Sequence, residues 1–316
     1  MIELELTAPG THRIRFAISP LEEALGAVQV VLGLRGHPAY LPWLDGARRT
    51  AARLPIDGLR RVLSARHYIT DFLSPPPDSP ETTAELQLAA IRRTPPAQVA
   101  AELAMVDADL AELPADPGLA RDRLAEEMAI VWSELVAPHW TRMRAVLTDD
   151  IAYRSRRLAE GGTALVLNEL SPRVRLAGDS LLVESRSRAR GRIDERGLLL
   201  IPCTFAWPRV GVMLLEPWQP ALLYPARGVA RLWAAERKPD ARLAAVLGRT
   251  KAALLVALDE PAGTTALARR LGLSAGTVSE HLTALRDVGI LTATRTGLQV
   301  RYRRSDLGES LLAGLR

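Results

Sequence analysis

Apolar and polar residues alternate at the start of the chain, and apolar residues then recur at helical spacing. The alternating stretches, 1–6 and 12–18, are separated by Ala-Pro-Gly and predict a strand, a turn and a second strand. Ser19 and Pro20, followed by two glutamates, are typical of a helix start, and this helix is expected to reach about Leu34. Further helices are expected near 39–53, 57–66, 80–93 and 96–112, whereas the proline-rich stretch 72–80 predicts an extended loop.

A long helical pattern follows over residues 119–160, and Pro138 divides it because proline disfavours helix in the residues before it. The pattern changes after Gly161 and Gly162. Short apolar runs separated by Gly and Pro then occupy 173–176, 180–184, 197–203, 209–215 and 220–224. These runs predict a small β-sheet that packs on the helices.

A polar segment broken by proline, 234–240, predicts a domain boundary. We therefore expect an α+β protein with two domains: a mostly helical N-terminal domain with a small sheet, residues 1–235, and a C-terminal domain, residues 236–316. Two helices, about 240–247 and 249–258, are expected to open the second domain. The apolar face of the second of these helices would support the segment that follows.

Residues 264–290 predict a helix, a tight turn and a second helix. In the first helix, Leu267, Ala268 and Leu271 are expected to face inward. Gly272 suits the left-handed position at a helix end, and Ser274 can cap the second helix and leave its amides free to hold a phosphate.

The second helix has an apolar stripe and an opposite face of small polar side chains. Val278, Leu282 and Leu285 share the stripe at a period of 3.6 residues and are expected in the core. The opposite face carries Gly276, Thr277, Ser279, Glu280 and Thr283. Such side chains can approach base edges in a DNA major groove, and Arg286 extends the face towards the DNA backbone.

Two alternating stretches, 291–295 and 299–303, predict a β-hairpin after this helix. Arg301 and Arg303 point to one face of the hairpin, and Arg295 lies near its tip, where phosphates or a minor groove can be met. A helical hairpin with a solvated polar face would explain the two helices alone. The ordered pair of polar helix and basic hairpin favours a winged helix-turn-helix that binds double-stranded DNA.

Residues 240–312 resemble the ArsR-type winged-helix repressors, most clearly in Leu267–Ser274, Thr277–Leu291 and Val300–Arg303. Looser similarity at 13–20, 137–140, 150–153 and 224–228 resembles a long actinobacterial form with an extra N-terminal domain. The resemblance implies a homodimer on a pseudo-palindromic operator. The thiolate ligands of the family's metal sensors have no counterpart, because Ala266, Leu267 and Ala268 occupy that region, so we expect no metal site.

The distribution of charge agrees with a nucleic-acid partner. The chain has 316 residues, 41 Lys and Arg against 36 Asp and Glu, and a formal charge of +5. From Arg237 onwards there are 13 basic and 7 acidic residues, whereas the rest of the chain has 28 and 29. The basic excess therefore belongs to the segment with the helix-turn-helix pattern.

Several observations bear on compartment and chemistry. The first residues have no apolar stretch typical of a signal peptide, and no apolar run is long enough for a membrane span, so a cytoplasmic protein is expected. The single cysteine, Cys203, lies in an apolar run and is interpreted as a buried core residue. No nucleophile turn, phosphate-binding glycine loop or His-Glu-x-x-His pair is present, which predicts neither an enzyme nor a cofactor.

The role of the N-terminal domain stays open between ligand binding, dimerisation and both. Candidate residues for an effector pocket are aromatic or lie beside aromatics: Trp132, His139, Trp140, Phe205, Trp207, Trp218 and Tyr224. The alternative is that they are simply core residues. The adjacent acids at 126–127 and 149–150 are interpreted as solvated, with Arg154, Arg156 and Arg157 as salt partners of the second pair. The sequence thus predicts a dimeric, sequence-specific transcriptional repressor that is released or modulated by an unidentified effector. The alternative is an enzyme that carries a DNA-binding regulatory module.

Overall fold

The computed structural model describes the chain except for residues 7–12, 66–67, 81, 186, 194, 234–240, 259–260, 297–298 and 314–316. The described residues fall into two units, Met1–Trp233 and Ala234–Arg316. The segment 234–240, in which we expected the boundary, lies outside the described residues. So do the turn predicted between the first two strands and residues 297–298 at the hairpin tip.

Helices form the larger part of the N-terminal unit. They are α1 (Pro20–Val31), α2 (Leu41–Ala51), α3 (Asp57–Leu63), α4 (Ala84–Arg93), α5 (Pro96–Leu103), α6 (Pro117–Val131), α7 (Trp140–Glu169) and α8 (Val229–Leu232). Ser19 caps α1 as expected, because its side chain accepts a hydrogen bond of 3.2 Å from the amide of Glu22. The apolar sides of α1 to α6 meet in one buried core.

The long helix differs from its prediction at both ends. Around Pro138, which has no amide hydrogen to donate, the chain forms a π-helix (Trp132–Val136) and a 3₁₀ turn (Ala137–His139) before α7 begins. Helix α7 does not end at Gly161 but kinks there and continues to Glu169. Gly162 has φ of +69°, a conformation that favours glycine, and the turns after the kink bury Val166 and Leu167.

The described residues of the N-terminal unit form two four-stranded sheets, where we expected one. The first contains, in spatial order, β3 (Val174–Ala177), β4 (Ser180–Val183), β1 (Ile2–Leu6) and β5 (Ala189–Ile193). The second contains β2 (Ile14–Phe16), β6 (Leu198–Cys203), β8 (Ala221–Pro225) and β7 (Gly211–Met213). The first two strands of the chain therefore belong to different sheets. Strand β5 was not predicted, because its arginines and glycine lack β-propensity.

Strand β6 is buried over its whole length because both faces of its sheet are covered. Leu198 and Leu200 face a core shared with the first sheet and the end of α7. Leu199, Ile201 and Cys203 face a second apolar cluster. The interpretation of Cys203 as a buried core residue is confirmed.

The C-terminal unit contains the elements of a winged helix. They are α9 (Ala241–Leu247), α10 (Arg249–Ala257), α11 (Thr264–Leu271), α12 (Ala275–Asp287), β9 (Leu291–Thr296), β10 (Gln299–Arg304) and α13 (Asp306–Ala313). One apolar core joins them, with Leu255, Leu267, Val278, Leu282 and Tyr302 among its members. The predicted α+β class is confirmed. Across the described parts of both units, every helix is too short or too polar to traverse a lipid bilayer.

Candidate nucleic-acid interface

The turn between α11 and α12 has the geometry expected of a helix-turn-helix. Helix α11 ends at Gly272, whose φ of +65° is the left-handed conformation that glycine adopts without strain. Ser274 begins the next helix in an extended conformation, and its hydroxyl accepts a hydrogen bond of 3.1 Å from the amide of Thr277. The two hydroxyls of Ser274 and Thr277 are also 2.9 Å apart. The start of α12 is thus fixed by its own side chains.

Helix α12 separates the two sets of residues that its periodicity predicts. Val278, Leu282 and Leu285 are buried in the core. Of the polar set, Gly276, Ser279 and Glu280 are exposed, and Thr277 and Thr283 are half-buried. The helix therefore presents small hydroxyl-bearing side chains and one carboxylate outwards, as direct contact with base edges requires.

Among the described residues of the unit, none packs closely enough against Gly276 to require a glycine there. A Cβ atom added there would meet no side chain closer than the Ser274 hydroxyl at 3.8 Å. Glycine nevertheless costs a helix about 1 kcal/mol relative to alanine. A close approach of the helix backbone to a partner is a physical reason for a glycine at this position.

An open depression of about 400 Å³ lies along the same face, lined by Ser279, Glu280, Thr283, Ala284 and Asp287. At its end, the Arg286 guanidinium donates to Asp287 at 2.7 Å, and this hydrogen bond raises the pKa of the arginine. Because both side chains are exposed, the pair is accessible to solvent and to a phosphate that competes for the guanidinium.

The hairpin after α12 is regular over its described residues. Strands β9 and β10 pair antiparallel, with Arg301 opposite Thr294 and Arg303 opposite Thr292. Tyr302 points into the core with 6% of its surface exposed, whereas Arg301, Arg303 and Arg295 are exposed. The alternation of side chains thus places Arg301 and Arg303 together on one exposed face, as predicted, and Tyr302 on the opposite, buried face.

Arg304 attaches the hairpin to the helices, a role that the sequence analysis missed. Its guanidinium donates to the carbonyl oxygens of Leu255 and Val256, at 2.8 and 3.0 Å, where α10 ends. Tyr302 and Ala262 also exchange two backbone hydrogen bonds, of 2.9 and 3.0 Å. Arg304 therefore differs from its exposed neighbours, but nothing local in the sequence distinguishes it, because its partners lie almost fifty residues earlier.

The seven residues proposed for an effector pocket in the N-terminal unit contact several different neighbours. Trp132 and Trp140 contact each other edge to face, and His139 contacts Trp233. Phe205 and Tyr224 are buried, whereas Trp207 is 43% exposed and contacts His37. Trp218 donates to Glu102 at 2.7 Å, and Tyr224 donates to Asp150 at 2.8 Å. Burial lowers the pKa of His139, with a smaller effect from Arg142.

Two of the acids that we expected in solvent are buried. Glu127 accepts hydrogen bonds from the amides of Gly58 and Leu59, at 3.2 and 2.7 Å, and so satisfies the start of α3. Asp150 accepts from Tyr224 and from the amide of Arg227. The prediction of solvated faces is therefore wrong for both residues. Arg154 does lie beside Asp150, as predicted, with 3.7 Å between Nε and Oδ1.

In the part of the chain that the structure describes, no three His, Cys, Asp or Glu side chains are grouped so that they could hold a metal ion. The buried carboxylates just described contact hydrogen-bond donors. Their positions are explained by those donors, without a cation.

Comparison with known families gives two matches that do not overlap. Residues 253–293, which run from the middle of α10 into β9, match the bacterial regulatory proteins of the arsR family. Residues 77–230 match a family of unknown function, DUF5937. No curated protein and no solved structure matches the chain.

Proposed function

Because residues 253–293 form an ArsR-family regulator domain, we propose that this protein is a sequence-specific transcriptional repressor. In the proposal, two copies bind one pseudo-palindromic operator through their C-terminal units, and an effector bound by the N-terminal unit changes the affinity for DNA. The observation that carries the proposal is the outward face of α12. It combines exposed Ser279 and Glu280 with half-buried Thr277 and Thr283, opposite a stripe that is fully buried.

Sequence would be read by this face in the major groove. The threonine methyl groups can contact thymine methyls, the hydroxyls can donate or accept, and the Glu280 carboxylate can accept from cytosine N4. The capped start of α12 directs free amides towards a phosphate at the edge of the groove.

Affinity that does not depend on sequence would come from the hairpin. The exposed guanidinium groups of Arg295, Arg301 and Arg303 suit contacts to phosphates or to the adjacent minor groove. Arg304 and Tyr302 anchor the hairpin in the core, so these contacts would be made from a fixed support.

Dimerisation is proposed through helix α9. Val246 on this helix is 77% exposed, and its neighbour Ala245 is exposed as well, while Leu243 on the other side is buried in the core. An outward-facing apolar residue of this kind is suited to a self-complementary contact with a second copy.

The function is tested by selecting bound fragments from random genomic DNA with the full-length protein. We expect enrichment of a pseudo-palindrome whose half-sites are about 10 base pairs apart, the spacing that two recognition helices on one side of the duplex require. Equal retention of all fragments would overturn sequence-specific regulation. A reporter placed behind the selected sequence then separates repression from activation.

The dimer is tested separately, by sedimentation of the wild type and of Val246→Glu. We expect the wild type to sediment as a dimer and the variant as a monomer that retains a folded circular-dichroism spectrum. Leu307→Glu, which changes another exposed residue of the same unit, serves as the matched comparison. A wild type that is monomeric both free and on operator DNA would refute the dimer.

A further inference from the structure

A solvent-open cavity of about 510 Å³ lies in the N-terminal unit, between the last turns of α7 and the end of β8. Its volume is in the range of cavities that bind small molecules, roughly 300–1,000 Å³. Arg154 and Arg227 line one part of it, and Leu170, Pro172 and Trp207 line another. Of the seven aromatic candidates from the sequence, Trp207 alone borders this cavity.

Arg154 is a buried cation with one nitrogen that has no hydrogen-bond partner. Its side chain is 3% exposed, and its guanidinium donates to the carbonyl oxygen of Glu169 at 2.6 Å. Its Nε is buried without a hydrogen-bond partner, since Asp150 Oδ1 is 3.7 Å away. The charge of Arg154 is thus partly balanced by Asp150, but a buried N–H without an acceptor is costly, so a ligand that supplied an acceptor would be bound with a gain.

Arg227 places a second guanidinium at the same cavity. It lies 3.5 Å from the centre of the Tyr153 ring, a cation–π contact, and its backbone amide donates to Asp150 at 3.1 Å. Among the described side chains, the guanidinium of Arg227 has no carboxylate within ion-pair distance. Its N–H groups are therefore open to an anion.

The acidic groups around the cavity are already engaged. Asp150 accepts from Tyr224 and from the Arg227 amide, so both of its oxygens have donors. Glu169 is held by Arg157 through two hydrogen bonds, of 3.0 and 2.5 Å, which lower its pKa. A carboxylate in this state is a poor proton carrier. The charges on Arg154 and Arg227 suit the binding of an anion better than catalysis.

We propose that this cavity binds a small organic anion, with the guanidinium groups of Arg154 and Arg227 holding a carboxylate or phosphate. Paired guanidinium groups match the planar, multi-oxygen geometry of these anions. Trp207, Leu170 and Pro172 cover an apolar, planar body. The further step, that this anion is the effector, rests on the proposed regulatory function. It is supported by the position of Arg227 two residues before α8, the last described helix ahead of the segment that leads to the C-terminal unit.

Calorimetric titration of the full-length protein with three matched probes tests the site. The probes are benzoate, phenyl phosphate and benzamide, the last being a neutral analogue of the first. We expect saturable binding of at least one anion with Kd of about 1 mM or tighter, and binding of benzamide at least tenfold weaker. The anion that binds more tightly shows whether the site prefers a carboxylate or a phosphate. Absence of saturable binding of both anions, or equal binding of benzamide and benzoate, would overturn the proposal.

Variants localise the binding. Arg227→Gln is expected to weaken the binding of the preferred anion by at least tenfold, and Trp207→Ala is expected to weaken it by a smaller factor. Arg156→Gln removes an exposed arginine of the same helix α7 that does not line the cavity, and it should leave Kd unchanged. If Arg227→Gln melts like the wild type and binds as well, the assignment of the site is wrong.

The effector role has its own readout, the affinity for the selected operator with and without a saturating anion. If the anion binds and operator affinity does not change, the site stands and its role as the effector site is refuted. If the protein binds the anion but no DNA, the proposed function fails while the site remains.

Discussion

The phenol of Tyr224 donates a 2.8 Å hydrogen bond to the carboxylate of Asp150, and so joins strand β8 to helix α7 inside the N-terminal unit. Both residues are buried, and burial raises the pKa of each. The second oxygen of Asp150 accepts from the amide of Arg227. One carboxylate therefore holds together two elements that border the proposed anion cavity.

Tyr224→Phe should destabilise the N-terminal unit without changing its shape. The substitution removes the donor to Asp150 and leaves a buried carboxylate oxygen without its partner, which costs about 1–3 kcal/mol. Urea denaturation at neutral pH measures the loss. Tyr153→Phe is the matched control, because Tyr153 is half-buried and contacts Arg227 through its ring. Equal stability of the Tyr224→Phe protein and the wild type would show that the hydrogen bond contributes nothing.

Arg301→Ala should weaken binding to every DNA sequence by a similar factor. Arg301 is exposed on the hairpin, and a phosphate contact contributes through the release of counterions. The slope of log K against log salt should therefore fall by about 1 in magnitude, for operator and random DNA alike. Arg53→Ala, which removes an exposed arginine of the N-terminal unit, should leave the slope as it is. An unchanged slope in Arg301→Ala would remove this residue from the interface.

Substitutions of Thr277 should change the sequence that is read. Thr277→Ala removes both the hydroxyl and the methyl group, and it should relax preference at one base position by about 1–3 kcal/mol. Thr277→Ser keeps the hydroxyl and its contact with Ser274. If this variant retains the base preference, the hydroxyl makes a hydrogen bond to the base. If it loses the preference, the methyl group makes the contact. Fragment selection with each variant measures the change. An equal loss of affinity for all DNA sequences would contradict the assignment of Thr277 to the reading face.

The C-terminal unit could be predicted closely because its signals are local. The stripe of Val278, Leu282 and Leu285, the left-handed Gly272 and the Ser274 cap each depend on residues within one or two turns. The alternation of Arg301, Tyr302 and Arg303 is local in the same sense. Periodicity and capping therefore determined the elements and the exposed faces of this unit.

The N-terminal unit depends on contacts between distant parts of the chain, and there the sequence was less informative. Glu127 and Asp150 read as surface acids on their own helices, yet their partners are the amides of Gly58 and Leu59 and the phenol of Tyr224. The anion cavity likewise combines residues of α7 with residues after β8. Local sequence patterns cannot reveal such pairs, because the hydrogen-bond partner of each buried carboxylate lies about seventy residues away in the chain.

Asp71 should give the stability of the protein a pH dependence near neutrality. Its side chain is 6% exposed, and burial, with repulsion from Glu102 and Glu22, raises its pKa from 3.8 to about 8. Between these two values the folded protein holds a proton that the unfolded chain releases. The stabilisation from that proton is complete below the unfolded pKa and is lost as the pH rises towards 8.

Asp71→Asn keeps the shape of the protonated acid and removes the titration. The free energy of unfolding of the variant, relative to the wild type, should therefore increase from pH 5 to pH 8, by up to about 1.4 kcal/mol for each pH unit. Asp45→Asn, at an exposed aspartate paired with Arg49, should show no such trend. Burial also raises the pKa of Glu23, to about 7. The stability of the Asp71→Asn variant therefore keeps part of the pH dependence of the wild type. A difference between Asp71→Asn and the wild type that is constant across this range would mean that Asp71 ionises alike in the folded and unfolded states.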